Sequence, residues 1–354
     1  MAMGALLMFA VVALLWQQET MYDFDKYSTI MAQTASVAFP KDNKEESSTN
    51  EENNLFPGLV QSGDGWSMWD RKTALSRNVG GTVVKSELVK FTSLNGASAD
   101  MYVYPNRDDK IVSGMIAAHG RWKHCDALIQ MWNQLVPQKD RFQPVSDYYF
   151  LEIGVNIGSC LIDVLLSTNA RIIGFEADPR NAVQVTNTLM AQPKYIRDRV
   201  AFFPIGLGLV SSRDSVIYQA SDNRGNSVVD AVIKDNDKQI MLPPIPIVLE
   251  RLDAILPPNS PIVASTGNDT KSSSSKLLKL IKMDVQGFEC NVMDGGPHVF
   301  EASRGIKTEM AEKWLKNQNC SGSGLVSRLV KAGFPEKKPS WDYEVIKPEG
   351  RVID

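Results

Sequence analysis

The chain has 354 residues, 43% of them hydrophobic, and 38 Lys+Arg against 41 Asp+Glu give a net charge of −3. These proportions describe an ordinary globular protein and exclude collagen-like, low-complexity or broadly disordered chains. A near-neutral balance without a basic run offers no field for nucleic acid. The four cysteines (Cys125, Cys160, Cys290, Cys320) are too few and scattered for a disulfide scaffold and form no CxxC pair for zinc.

Residues 4–16, GALLMFAVVALLW, carry no charged or strongly polar side chain. A bilayer-spanning helix wants about 20 apolar residues, and runs of about 10–14 fit the core of a signal peptide better. No basic flank precedes the run and no small-x-small site directly follows Trp16, so three readings stay open: a short signal-anchor, a cleaved signal, or a buried helix. The stretch 41–54, KDNKEESSTNEENN, contains no apolar residue and is too polar to offset its own ordering entropy. An apolar head (1–20) and a polar, partly disordered stem (21–79) before a globular domain (80–354) favour the secretory pathway, either membrane-anchored in the endoplasmic reticulum or Golgi with a lumenal domain, or secreted. Two Asn-x-Ser/Thr triplets, at Asn268 and Asn319, point the same way, Asn268 within a polar loop.

The globular part alternates short β-rich and amphipathic runs. Asp100–Tyr104 and Ile111–Ile116 read as strands, and Cys125–Leu135 as a helix. YYFLEIG from Tyr148 is a buried strand ending in glycine, followed by a helical run at Cys160–Leu166 and a strand at Arg171–Ala177. Asp178-Pro179 opens a helix to Met190, with Asp as cap and Pro at the first helical position. Val200–Gly208 and Asp214–Gln219 follow as strands, and Leu249–Leu256 as a helix stopped by Pro257-Pro258. Residues 257–276 form a Ser-rich loop insertion. Leu277–Val285 is again apolar strand, and Ile306–Met310, Gly324–Phe334 and Tyr343–Ile346 supply strand, helix and strand. Apolar strands separated by helices predict a doubly wound, mostly parallel α/β sheet, which binds ligands at the carboxyl ends of its strands.

Two constellations sit at such ends. In the first, Glu152, Gly154, Asn156 and Gly158 form ExGxNxG between strand and helix, and Glu176 follows 18 residues after Gly158, at the end of the next strand. Glycines there allow close approach to the main chain, and an acid in that second place can accept hydrogen bonds from ribose hydroxyls. A dinucleotide site prefers GxGxxG; a leading carboxylate repels pyrophosphate but attracts an ammonium. S-adenosylmethionine carries an ammonium, a sulfonium and a ribose without phosphate, and is the favoured cofactor. In the second constellation, Lys282, Asp284 and Glu289 bracket a glycine in KMDVQGFE. Acids and a lysine at a sheet edge are costly to bury without a task or partners.

The order EIGVNIG, GFEADPRN, GNSVV (Gly225–Val229), ERLDAIL, IKMDVQGFE and DGG (Asp294–Gly296) resembles the FkbM-type methyltransferases over residues 148–308. The resemblance implies a class I, Rossmann-like, S-adenosylmethionine-dependent methyltransferase of a group associated with O-methylation of sugars and natural products. Carried over, Glu152, Gly154, Asn156 and Gly158 form the donor loop, Glu176 holds the ribose, and Asp284 and Glu289 line the reaction centre. The family often has Asp where Glu152 stands.

Methyl transfer to a hydroxyl is an in-line displacement assisted by a base. Asp284 is the first candidate and Glu289 the second, with Lys282 orienting either. His119 and His124 are further candidates for which structural roles are favoured; His298 reads as a loop residue. A metal bridging Asp284 and Glu309 has no ligand spacing to support it, and no metal is expected. Asp235-Asn236-Asp237 lacks the remaining ligands of a calcium loop. Trp122, Trp132 and Trp314 are possible stacking platforms. The expected activity is O-methylation of a carbohydrate, glycoconjugate or similar small molecule. A nicotinamide-dependent oxidoreductase and a non-catalytic binding module are the alternatives.

Overall fold

The computed structural model describes residues 55–64, 66–69, 84–230, 240–264 and 277–348, all within one compact unit, Asn54–Asp354. The apolar run 4–16, the charged stretch 41–54, the Asn268 triplet, Asp235–Asp237 and positions 265–276 of the insertion lie outside the described residues. Among the described residues, no helix is long and apolar enough to cross a membrane.

Two short antiparallel pairs come first, β1 (Ser62–Gly63) with β2 (Trp66–Ser67), and β3 (Glu87–Thr92) with β4 (Ser98–Val103). Then follow β5 (Tyr149–Ile153), β6 (Arg171–Phe175), β7 (Val200–Phe203), β8 (Gly206–Leu207), β9 (Ser212–Gln219), β10 (Ser227–Val229) and β11 (Ile245–Glu250). The last three are β12 (Leu278–Met283), β13 (Gly305–Glu309) and β14 (Asp342–Ile346). The central sheet has the order β14-β13-β12-β5-β6-β7 and is parallel throughout except for the antiparallel edge strand β14.

Period-2 alternation buries both faces of that sheet. Tyr149, Leu151 and Ile153 of β5 join Ile173, Phe203 and Ile281 in one core, while Phe150 joins Ile172, Phe202 and Leu280 in the other. The helices Ser159–Ser167, Pro179–Ala191 and Asp126–Leu135 cover the second face, and Glu289–Asp294, Pro297–Ala302 and Gly322–Lys331 the first. This is the doubly wound arrangement the apolar strands imply. The chain runs outward from β5 to β6 and β7 on one side, and from β12 to β13 on the other. The strand order therefore reverses between β5 and β12, where such sheets open a crevice.

Several elements differ from the sequence expectation. Ile111–Ile116 lies in a helix, Val112–His119. The buried carboxylate of Asp109 accepts from the backbone N–H and hydroxyl of Ser113, fixing a helical turn, and Val112, Ser113 and Ile116 face inward at helical spacing. Of Leu249–Leu256, only Leu252–Ile255 is helical; the Leu249-Glu250 end belongs to β11, paired with β8 and β9. Val200–Gly208 is divided at Pro204 into β7 and β8, which enter different sheets. A second sheet, β10-β9-β11-β8, stands beside the first and was not expected from the pattern. The core also reaches back into the segment read as stem: Phe56 and Leu59 are buried against it, and Tyr149 Oη donates to the Leu55 carbonyl at 2.7 Å.

The cysteines, scattered in sequence, all pair: Cys125 with Cys160 and Cys290 with Cys320, with Cα atoms 5.1 and 6.3 Å apart. Linear spacing held no sign of this, because both bonds join segments that the fold alone brings together.

Candidate functional site

The loop after β5 is shaped by three residues of positive φ: Gly154 (84°), Asn156 (54°) and Gly158 (92°). A Cβ on Gly154 would stand 1.9 Å from the Asp284 carbonyl oxygen, so this glycine lets the ends of β5 and β12 approach. Gly158 precedes the helix Ser159–Ser167, and a Cβ there would meet only Val185 at 3.5 Å. The backbone N–H of Asn156 donates to Glu176 Oε2 at 2.6 Å, and that of Asp178 donates to Oε1 at 2.9 Å. Glu176 thus ties the first loop to the next helix start, where Asp178 accepts from Arg180 N as the expected cap. Burial pushes the Glu176 carboxyl up to about 8, with Asp178 adding to the rise and the two N–H donors opposing it.

Glu152 and Lys282 are register partners on adjacent strands. The Glu152 side chain is fully buried, with Lys282 Nζ 3.3 Å away, and burial raises its carboxyl to about 7. Lys282 Nζ also donates to the Gly154 carbonyl at 2.7 Å and lies 3.8 Å from Asp284 Oδ2. Burial opposes the Lys282 charge, but Glu152 and Asp284 outweigh it and hold the ammonium above its ordinary range. Lys282 is therefore a strut beneath the loop, on the same strand face as Asp284.

The second constellation turns through Gln286 (φ 51°) and Gly287 (φ 99°), the latter pressed against the Trp314 backbone. Glu289 faces its own turn: Oε1 accepts from the N–H groups of Val285 and Gly287 at 3.1 and 3.3 Å. Burial raises Glu289 to about 7. Asp284 projects the other way, its side chain about one-third exposed, and Gln286 Nε2 donates to its Oδ1 at 2.7 Å and to Glu309 Oε2 at 3.0 Å.

A cavity of about 410 Å³ opens over these loops at the carboxyl ends of the strands. It gathers Gly154, Asn156, Glu176, Lys282 and Asp284. Glu152, Gly158 and Glu289 are outside its lining and serve the loops that shape it. That revises the expectation for Glu152: enclosed and answered by Lys282, it is not placed to hold a ligand's ammonium. Four carboxylates line the cavity (Glu176, Asp284, Glu309, Asp342) against two lysines (Lys282, Lys307), and Lys307 is turned to Asp342 and Glu344 at 2.9 and 2.7 Å. Asn156 Oδ1, also in the lining residue set, is buried without a hydrogen-bond partner.

Trp122 and Trp314 line the cavity, and Trp132 is core. His124 stacks on Trp122 with ring centroids 4.6 Å apart. His298 lies in a helix, bonded to the Leu256 carbonyl at 2.7 Å. Sequence reading missed Trp341 and Asp342, which reach the cavity from β14 and its approach, and gave Glu309 only a metal-bridging role. Among the described residues no group of three or more His, Cys, Asp or Glu could hold a metal ion.

No family model matches the chain, and no curated protein matches it. Among solved structures it is similar to the crystal structure of methyltransferase FkbM from Methylobacillus flagellatus KT, with a TM-score of 0.34 and 15% identity. The match covers 58% of this chain and 44% of that one, so the chain spans less than half the length of that protein.

Proposed function

We propose that this chain is an S-adenosylmethionine-dependent O-methyltransferase acting on a hydroxyl of a carbohydrate, glycoconjugate or similar small molecule. The observation that carries the reading is Glu176: a buried carboxylate in the cavity wall, each oxygen held by one backbone N–H, at the end of the strand next to the crevice. Each oxygen keeps acceptor capacity for a ribose hydroxyl. The residues present fit the donor, since the unpartnered Asn156 Oδ1 is a second acceptor beside Glu176. No arginine is among the described lining residues and both lining lysines are engaged with carboxylates, which weighs against a pyrophosphate and so against a nicotinamide dinucleotide.

When bound, the donor supplies an electrophilic methyl group on a positively charged sulfur. Glu176 and Asn156 would hold and orient it. Asp284, a partly exposed carboxylate in the same lining, is assigned the proton acceptor. Asp284 would take the proton of the acceptor hydroxyl during transfer and pass it to water. Glu289, engaged with its own turn, is assigned to holding that turn. The proposed partners are the small-molecule or glycan acceptor and, through residues 4–16, a membrane, with no nucleic acid. Two disulfides support a place in the secretory pathway, because such bonds persist in oxidising compartments.

Calorimetric titration of the purified chain is expected to show binding of S-adenosylmethionine and none of NADH; the reverse pattern would install the oxidoreductase reading instead. Incubation with methyl-labelled donor and fractionated cell extract is then expected to label a glycan or small hydroxylated product. Donor binding with no labelled product in any fraction would favour a non-catalytic module.

A further inference from the structure

The acceptor end of the cavity contains an arrangement that the methyl-transfer reading does not by itself require. Two carboxylates, Asp284 at the end of β12 and Glu309 at the end of β13, are joined by one amide nitrogen, Gln286 Nε2, which donates to both, at 2.7 and 3.0 Å. Gln286 is held for this task in a left-handed conformation (φ 51°) that a residue other than glycine seldom adopts. The strands carrying the two acids are adjacent and parallel, Met283 lying opposite Thr308, so the pairing is built into the sheet.

We infer that Asp284 and Glu309 form a proton-sharing pair, with Glu309 the positioning residue that donates the shared proton to Asp284 and holds it toward the acceptor hydroxyl. Two like charges so close do not both ionise readily, and the pair keeps a single negative charge. Burial and the neighbouring Asp284 push Glu309 up to about 9, in keeping with the geometry. The surrounding charges are Lys282 beside Asp284, Glu289 behind the turn, and Asp342 opposite Glu309 on β14. Lys307, on β13 itself, is committed to Asp342 and Glu344. Glu152 and Glu176 lie across Lys282 and act on the pair through it.

The pair has a consequence for ligand discrimination, which rests on the cofactor assigned above. S-adenosylmethionine and S-adenosylhomocysteine share ribose, adenine and amino acid and differ in the positive sulfonium. A cation placed for methyl transfer beside Asp284 favours full ionisation of the pair and expels the shared proton; the neutral thioether does not. The site would thus sense the charge that distinguishes donor from product.

The test is calorimetric titration of the full chain at pH 8.5 with each compound, in two buffers of different ionisation enthalpy, which counts the protons released. The expected result is a larger release with S-adenosylmethionine than with S-adenosylhomocysteine. That difference should vanish in Glu309→Gln and return in Glu309→Asp. In the native chain it should also shrink at pH 6, which needs no variant to fold. Equal release by both compounds in the native chain, or a difference that persists in Glu309→Gln and so arises outside the pair, overturns the inference. Failure of both compounds to bind would instead overturn the cofactor assignment.

Discussion

The two loops that build the cavity are made to a similar plan and used differently. Each leaves a parallel strand through residues of positive φ, Gly154-x-Asn156-x-Gly158 after β5 and Gln286-Gly287 after β12. Each is followed by a helix whose second residue is a cysteine, Cys160 or Cys290, bonded to a segment that carries a cavity tryptophan nearby, Trp122 or Trp314. Each also has a buried glutamate that accepts two backbone N–H groups. The contrast lies in how. Glu176 spends one bond on each oxygen and remains in the cavity wall, whereas Glu289 takes both donors on Oε1, and its Oε2 is buried without a hydrogen-bond partner. The first acid stays in the cavity lining, and the second braces the turn that follows Asp284.

The sharpest way to break the plan is at its shared joint. Gly154→Ala should cost about 4 kcal/mol or more in chemical denaturation, because its Cβ would collide with the Asp284 backbone and its φ is left-handed. Gly158→Ala has the same φ problem but open space, and should cost about 1 kcal/mol. Similar losses at both positions would mean that the loops do not lean on one another. Next come the braces. The disulfides close spans of 35 and 30 residues, so replacing either pair by serine should lower stability by about 3–4 kcal/mol. Affinity for S-adenosylmethionine should fall more for Cys125→Ser/Cys160→Ser, because Cys160 lies in the first turn of the helix that follows Gly158. An equal fall in both double variants, measured by titration, would erase the distinction between the loops.

Much of this was legible in the sequence where local chemistry decides. The alternation in YYFLEI, the Asp178-Pro179 helix start and the spacing of Glu176 foretold the parallel strands, the capped helix and an acid at the end of the next strand, which the structure places in the cavity wall. What escaped depends on distant partners. Ile111–Ile116 is β-branched enough to resemble a strand, and only the buried Asp109 carboxylate commits it to helix. The second sheet needs β9, β10 and β11 to find β8, and pairing of short strands separated by loops leaves little periodic trace. At the site, an acid after a strand reads the same whether it faces a cavity or its own turn, so the sequence did not show that Glu176 lines the cavity while Glu289 braces its turn. Glu309 was named with Asp284 only as a possible metal bridge; their link through Gln286 depends on sheet register and the turn after β12.

The smallest effect separates the two glutamates directly. Glu176→Gln should weaken S-adenosylmethionine binding about tenfold above pH 8, because the carboxylate that the ribose hydroxyls favour is lost and one acceptor oxygen becomes an amide donor. Glu289→Gln should leave that affinity within about twofold. Stability against pH gives the second axis. Both acids are raised by burial, Glu176 to about 8 and Glu289 to about 7, so the folded state holds their protons more tightly than the unfolded chain. The stability each contributes is complete below the ordinary carboxylate range and is lost as pH rises through those values. Thermal melts of the free protein from pH 5 to 9 should therefore fall less steeply in either variant than in the native chain. Adding ligand parts them: ribose hydroxyls favour ionised Glu176, so the melting-temperature rise caused by adenosine, which lacks the ammonium and sulfonium, should grow between pH 6 and 9. That growth should persist in Glu289→Gln and disappear in Glu176→Gln. If it disappears in both, the turn acid belongs to the binding site, and the division of labour between the two loops is wrong.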